Sequence, residues 1–174
     1  MPRSELISAE HRALYQDYYS KRAIAPRESQ WLARVESLAE ALGAETIIDY
    51  GCGAARGLSR FSKLKVTDYD PGVHECSVPP ARADLVVSIH ALEHVEANCI
   101  DAVIAHMKEI AKRAVLLAVS CEPSTKVLPD GSPWHSFVRP AGWWREKLSG
   151  FEPQPVMKDR PGAEYVALWM TVGR

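Results

Sequence analysis

The sequence lacks the patterns of several common kinds of protein. Its four cysteines form no Cys-x-x-Cys pair, so a zinc ribbon is not expected. The formal net charge of −1 gives no basic excess, which argues against a long nucleic acid as partner. The first twenty residues lack the apolar core of a signal peptide, and no apolar run reaches the roughly 18 residues of a membrane span. These absences predict a cytoplasmic protein with reduced thiols and no membrane partner.

The hydrophobic pattern predicts one α/β domain. With 174 residues and 47% hydrophobic composition, the chain is long enough for a single core. We expect two helices within residues 1–43 and a ligand-binding core over residues 44–174, with a helix over residues 55–64. Short apolar runs that alternate with helical patterns indicate a mostly parallel sheet covered on both faces, which is a Rossmann-like doubly wound fold. Two final runs, at 153–159 and 164–172, predict an antiparallel hairpin at the C-terminal end.

Two motifs follow the first two expected strands. The first is a glycine turn, Asp49-Tyr-Gly51-Cys-Gly53, where glycines allow a sharp turn and a close approach of a ligand to the backbone. The second is the acidic strand end Asp68-Tyr69-Asp70. A carboxylate at this place can accept hydrogen bonds from both hydroxyls of a ribose, and an aromatic ring beside it can stack on a base.

A third stretch follows the next apolar strand and completes a family resemblance. It reads Ala-Asp-Leu-Val-Val-Ser88-Ile-His-Ala-Leu-Glu-His. With the glycine turn and the acidic strand end, it resembles the class I S-adenosylmethionine (SAM)-dependent methyltransferases, in particular the small type with a Leu-Glu-His motif. The resemblance covers residues 44–121 well and the rest of the chain loosely.

The resemblance implies a set of cofactor-binding residues. Asp49, Gly51 and Gly53 are expected to line the methionine end of SAM. Asp68 or Asp70 would hold the ribose, and Tyr69 would lie near the adenine. Ser88, where the third strand ends, completes the expected set of contacts to the cofactor: Asp49, Gly51, Gly53, Asp68, Tyr69, Asp70 and Ser88.

The chain departs from the family pattern in two places. Ala55 stands where the family has a third glycine, which narrows the turn. Only the twelve residues 71–82 separate the acidic strand end from the next apolar run, where the family has a helix and a strand. We therefore expect the region of the third strand to be shortened and the adenine pocket to be more open.

The stretch His90-Ala-Leu-Glu93-His94 allows three interpretations. If it begins a helix, the three polar side chains share one face. Glu93 and His94 can cap or orient that helix, or His90 or His94 can act as a general base. The third interpretation is a metal site of His90, Glu93, His94 and, from a later loop, His135. It is similar to the metal site of small-RNA 2′-O-methyltransferases, and its mixed nitrogen and oxygen ligands suit Zn²⁺, Mn²⁺, Fe²⁺ or Co²⁺.

These features predict a SAM-dependent methyltransferase that methylates an oxygen or a nitrogen. The catalytic candidates are His90, Glu93, His94 and His135. No sequence remains for a separate acceptor domain, so we expect a small-molecule acceptor or an exposed terminus of something larger. The alternative is a SAM-binding regulatory or scaffold protein without transferase activity. No feature of the sequence predicts an oligomeric state.

Overall fold

The computed structural model describes residues 5–157, 160 and 162–171. The helices are α1 (Ala9–Ser20), α2 (Leu32–Leu42), α3 (Ile100–Ile110) and α4 (Ala141–Lys147). The strands are β1 (Thr46–Tyr50), β2 (Lys65–Tyr69), β3 (Ala83–Ile89), β4 (Ala111–Ser120), β5 (Glu152–Pro153) and β6 (Glu164–Met170). Within the described residues, every helix is too short or too polar to cross a membrane.

The strands form one six-stranded sheet in the order β2-β1-β3-β4-β6-β5. The first four are parallel neighbours, whereas β6 runs antiparallel to β4 and pairs with β5. This confirms the predicted mostly parallel sheet with an antiparallel C-terminal hairpin. The hairpin's first strand is shorter than expected, and residues 158, 159 and 172 of the two expected runs lie outside the described residues.

The core lies on both faces of this sheet because the side chains of each strand alternate between them. One face packs Ile48, Val86 and Val115 against α3 and the buried Trp144 of α4. The opposite face packs Ile47, Leu85 and Leu116 against Trp31 and α2. Burial on both faces explains why the central strands are continuous apolar runs.

Residues 55–64, expected to form a helix after the glycine turn, form a series of turns instead. Arg56 has a φ of +48°, and a non-glycine residue in this left-handed region cannot continue a right-handed helix. Hydrogen bonds such as Ser62 N–H to Leu58 O then close isolated turns.

The segment between β2 and β3 is irregular, as its shortness predicted. Of residues 71–82, only His74–Cys76 form regular structure, a single 3₁₀ turn. Within the described residues, β2 is therefore an outer strand of the sheet. The carboxyl ends of β1, β2 and β3 meet beside this short segment, and the chain crosses from one side of β1 to the other there. Ligands bind at such switch points in α/β sheets.

Candidate functional site

A cavity of about 260 Å³ lies at the carboxyl ends of β1, β2 and β3. Its volume is near the lower end of the roughly 300–1,000 Å³ range of small-molecule pockets. The turns after the three strands form its floor and walls, and residues from α1 and the segment before it complete it. Of the expected cofactor residues, five line it: Gly51, Gly53, Tyr69, Asp70 and Ser88.

The glycine turn requires glycine at position 51 for two reasons. Gly51 has a φ of +83°, which side-chain-bearing residues rarely adopt. A Cβ atom on Gly51 would also lie 2.3 Å from the Cβ of Ala91, so the turn packs directly against the chain that leaves β3. The Gly51 N–H donates to the carbonyl of Tyr69 at 2.7 Å and fastens the turn to the end of β2.

Asp70 joins the glycine turn to the loop after β2. Its Oδ2 accepts from the Gly53 N–H at 3.0 Å, and its Oδ1 accepts from the Gly72 N–H at 2.8 Å. Burial raises the pKa of Asp70, and these two N–H donors oppose that shift. Each carboxylate oxygen can accept a further hydrogen bond, so Asp70 can still bind a ligand in the cavity that it lines.

The other expected acid of this strand end, Asp68, does not line the cavity. Its Oδ2 accepts from the Ser59 hydroxyl at 2.7 Å, within the turns that follow β1. Tyr69 does line the cavity and packs edge-on against Tyr50 with the ring centroids 4.8 Å apart. Of the two acids, the structure therefore places only Asp70 within reach of a ligand.

Asp49 lies beneath the cavity rather than in its wall. It is buried in β1, directly opposite Asp68 in the parallel register. Burial, with smaller contributions from the charges of Asp68 and Asp70, raises the pKa of Asp49 to about 8. Asp49 is therefore mostly protonated at neutral pH, and a cation bound above it would favour the ionised form.

Ser88 places a buried hydroxyl in the cavity wall. The residue is 1% exposed, and its Oγ has no hydrogen-bond partner among the described residues. A buried polar atom without a partner is costly. A polar group of a ligand in the cavity can satisfy it.

Helix α1 covers part of the cavity. Its residues Tyr15 and Tyr19 line the cavity, and the Tyr15 hydroxyl donates to the carbonyl of Trp134 at 2.9 Å. Gly72 lies directly beneath Tyr15, since a Cβ on Gly72 would approach the Tyr15 Cβ to 2.6 Å. The N-terminal helix is thus packed onto the ligand-binding edge of the sheet.

The stretch from His90 to His94 does not begin an α-helix, so the condition for one shared helical face is not met. Leu92–His94 form a single 3₁₀ turn, and His90 precedes it with a φ of +52°. This geometry sends the side chains of His90 and His94 to different partners. Both residues line the cavity.

Glu93, His94 and His135 come together, with one potential ligand atom from each within 4.8 Å of the others. His94 Nδ1 contacts the carbonyl of Trp134 at 2.8 Å, and His135 Nδ1 contacts the carbonyl of Glu122 at 2.6 Å. A carbonyl only accepts, so each Nδ1 carries a proton, and a ring that is neutral then has its lone pair on Nε2. Burial lowers the pKa of His94 to about 4, which keeps it neutral.

His90, the fourth expected metal ligand, lies outside this group. Its Nε2 contacts Oε1 of Glu164 at 2.6 Å. The sequence interpretation did not single out Glu164. The signal that identifies it is one acid at the start of an otherwise apolar strand, Glu164-Tyr-Val-Ala-Leu-Trp-Met, where a buried charge needs a partner.

Comparison with known proteins identifies the fold. No protein-family profile and no curated protein matches the sequence. Among solved structures, the chain is similar to magnesium protoporphyrin IX methyltransferase from Synechocystis PCC 6803 with bound SAM (13% identity, 94% of this chain and 98% of that chain, TM-score 0.57). It is also similar to 1,6-didemethyltoxoflavin-N1-methyltransferase from Burkholderia thailandensis (16% identity, 92% of this chain and 88% of that chain, TM-score 0.61). A third similar structure is the methyltransferase domain of bacterial CtHen1-CN (16% identity, 81% of this chain and 97% of that chain, TM-score 0.55). The chain therefore has the fold of class I SAM-dependent methyltransferases.

The packing of the glycine turn predicts that two glycine-to-alanine substitutions will destabilise the protein to different extents. Gly51 and Gly131 both have positive φ, +83° and +85°, but a Cβ at Gly131 would meet nothing within 4 Å. We expect Gly131→Ala to lower the free energy of unfolding by about 1 kcal/mol and Gly51→Ala by at least about 2 kcal/mol more. Urea unfolding measures both, and equal losses would contradict the close contact with Ala91.

The raised pKa of Asp49 predicts a dependence of stability on pH. Between the unfolded pKa of 3.8 and the folded pKa of about 8, the folded state holds a proton that the unfolded chain has lost. The free energy of unfolding should therefore fall as the pH rises from 5 to 8. The expected decrease is a few kcal/mol, since one pKa unit corresponds to about 1.4 kcal/mol.

Asp49→Asn provides the reference, because its amide stays neutral while all other titrating groups are unchanged. The stability of the wild-type protein relative to Asp49→Asn should fall across this pH range in urea unfolding. Parallel pH profiles for the two proteins would show that Asp49 is ionised in the folded state.

Proposed function

We propose that the protein is a SAM-dependent methyltransferase that acts on an oxygen or a nitrogen of a small molecule or of an exposed terminus. The observation that carries this proposal is the cavity bounded by Gly51, Gly53 and Asp70 at the switch point of the sheet. It offers bare backbone on one side and a carboxylate on the other. This combination suits a nucleoside with a charged amino-acid tail.

The wall residues suggest how the cofactor lies. The Asp70 carboxylate and the Tyr69 ring both line the cavity, so Asp70 would accept from the ribose hydroxyls and Tyr69 would offer an aromatic face to the adenine. The methionine end would follow the glycine turn toward Ser88, whose buried hydroxyl has room for a polar partner. Asp49 beneath the turn would become ionised beside the cationic amino group of this tail.

Methyl transfer of this kind needs positioning more than covalent chemistry from the protein. The acceptor atom must approach the methyl carbon in line with the bond to sulfur, and holding the two reactants in this arrangement removes most of the entropic barrier. Helix α1 contributes Tyr15 and Tyr19 to the cavity wall, and these rings would limit the access of water to the bound reactants.

Two structural relatives support a small-molecule acceptor. One was solved with bound 1,6-didemethyltoxoflavin and S-adenosylhomocysteine, and the other is named for magnesium protoporphyrin IX. The present chain covers most of the length of both relatives. A chain of this length can therefore hold both a cofactor and a small acceptor.

We also propose that Glu93, His94 and His135 hold a divalent metal ion such as Zn²⁺, Mn²⁺, Fe²⁺ or Co²⁺. The donors fit, because both histidines direct Nδ1–H to a backbone carbonyl and keep Nε2 for a metal, as histidine ligands usually do. Three protein ligands leave a position open for an acceptor oxygen. A bound ion would act there as a Lewis acid that orients and polarises this oxygen.

Calorimetric titration with SAM and S-adenosylhomocysteine tests the cofactor assignment. We expect both to bind the wild-type protein, and Asp70→Asn to weaken binding at least about 10-fold through the loss of charge-assisted hydrogen bonds. Asp68→Asn is the matched control, because Asp68 is hydrogen-bonded to Ser59 outside the cavity. Absence of binding heat for the folded wild-type protein, or equal effects of the two substitutions, would contradict the proposal.

Turnover separates the enzyme from a SAM-binding regulatory or scaffold protein. Labelled SAM and a panel of small metabolites with free hydroxyl and amino groups should give a methylated product. SAM binding without any transfer would favour the regulatory or scaffold alternative.

Elemental analysis tests the metal site. Protein purified and then equilibrated with Zn²⁺, Mn²⁺, Fe²⁺ or Co²⁺ should retain about one ion per chain. His135→Ala should lose it, because the proposed site would keep only two protein ligands. His74→Ala, which changes an exposed histidine, should retain it. Equal metal content in the two variants would contradict the site.

A further inference from the structure

We propose that Glu164 is a positioning residue that fixes the ring of His90, so that His90 Nδ1 accepts the proton released by the methyl acceptor. This inference rests on the proposed function and assigns the general base of the same site. It arises from a pairing across the sheet, between the end of β3 and the start of β6.

Glu164 has both carboxylate oxygens committed. Its side chain is fully buried, with Oε1 at 2.6 Å from His90 Nε2. Its Oε2 accepts from the backbone N–H of Met157 at 2.8 Å. In the proposed pair Glu164 is a carboxylate that only accepts hydrogen bonds, so His90 carries a proton on Nε2. In the neutral ring the lone pair then resides on Nδ1.

His90 is held at the cavity in a conformation that requires support. Its φ of +52° is uncommon for a residue with a side chain. The His90 N–H donates to the carbonyl of Ala118 at 2.7 Å, and the Trp31 ring packs edge-on against the imidazole. Backbone strain of this kind persists where surrounding contacts over-determine it, and it is concentrated at functional sites. The imidazole is 29% exposed and His90 lines the cavity.

His94, the other histidine in the cavity wall, is less suited to accept this proton. Its Nδ1 already contacts the carbonyl of Trp134 at 2.8 Å and the hydroxyl of Tyr15 at 3.0 Å. Its ring also belongs to the group with Glu93 and His135. The two histidines therefore have separate tasks, one at the proposed metal site and the other at the acceptor.

The transfer step balances with these groups alone. A lone pair of the acceptor oxygen or nitrogen forms a bond to the methyl carbon, and the bond from this carbon to sulfur breaks. The electron pair of the broken bond stays on sulfur, which gives neutral S-adenosylhomocysteine from the sulfonium. The acceptor's proton passes to His90 Nδ1, and the carboxylate of Glu164 stabilises the imidazolium that forms.

Glu164→Gln tests the pairing through the tautomer of His90. The Met157 N–H can only donate, so it takes the oxygen of the new amide. The amide NH₂ then faces His90 Nε2, which has to become an acceptor. We expect the proton of His90 to lie on Nε2 in the wild-type protein and on Nδ1 in Glu164→Gln. Long-range ¹H–¹⁵N correlation spectra of the imidazoles report this directly, and the His90 signals are assigned by their loss in His90→Asn.

Glu152→Gln is the matched control, because Glu152 is exposed on β5. It should leave the wild-type tautomer unchanged. A wild-type His90 with its proton on Nδ1, or the same tautomer in Glu164→Gln as in the wild type, would overturn the inference. The wild-type spectrum decides this even where the variant does not fold.

Calorimetry with SAM separates this inference from the proposed function. Glu164 does not line the cavity, so Glu164→Gln should bind SAM with an affinity within about 2-fold of the wild type. Its kcat on a panel compound that the wild-type protein methylates should fall about 100-fold or more. An unchanged kcat would overturn the role of His90, although SAM binding stands. If the wild-type protein itself did not bind SAM, the proposed function would be contradicted instead.

Discussion

The carboxylate of Asp70 is the interaction on which the site depends. It binds the Gly53 N–H on one side and the Gly72 N–H on the other, so it holds the turn after β1 and the turn after β2 in one arrangement. The parallel pairing of β1 with β2 brings these turns together, and the close contact of Gly51 with Ala91 adds the end of β3. The cavity is thus formed by backbone turns on rigid strands. The cavity does not depend on the strand that the family has between β2 and β3, because none of these contacts involves residues 77–82.

Fixed tautomers organise the polar side of the cavity. His94 and His135 each direct Nδ1–H to a backbone carbonyl, whereas His90 directs Nε2–H to the buried carboxylate of Glu164. In the proposed mechanism, the first pair would offer Nε2 to a metal ion and His90 would offer Nδ1 to a proton. A stretch of five residues would then supply two chemically different functions, and the strained backbone at His90 lies between the two.

The sequence predicted those features that depend on local structure. Short apolar runs predicted the strands, and the glycine pattern predicted the turn at Gly51, where the structure has a positive φ. The pairing of His90 with Glu164, which depends on distant residues, was missed. Glu164 is 74 positions from His90, and only the register of the assembled sheet brings them together. The helix expected at 55–64 does not form, since Arg56 has a φ of +48°, which residue propensity cannot show. The sequence also could not show that His90 lies outside the group of Glu93, His94 and His135, because its partner Glu164 is distant in the chain.

A crystal structure of the protein grown with S-adenosylhomocysteine would test the central claim most directly. The account predicts the nucleoside in the cavity, with its ribose hydroxyls hydrogen-bonded to the Asp70 carboxylate and its amino-acid tail along the turn from Gly51 to Gly53. The sulfur should lie on the side of the cavity that His90 lines. An empty cavity at saturating ligand, or a nucleoside bound elsewhere on the protein, would contradict the account.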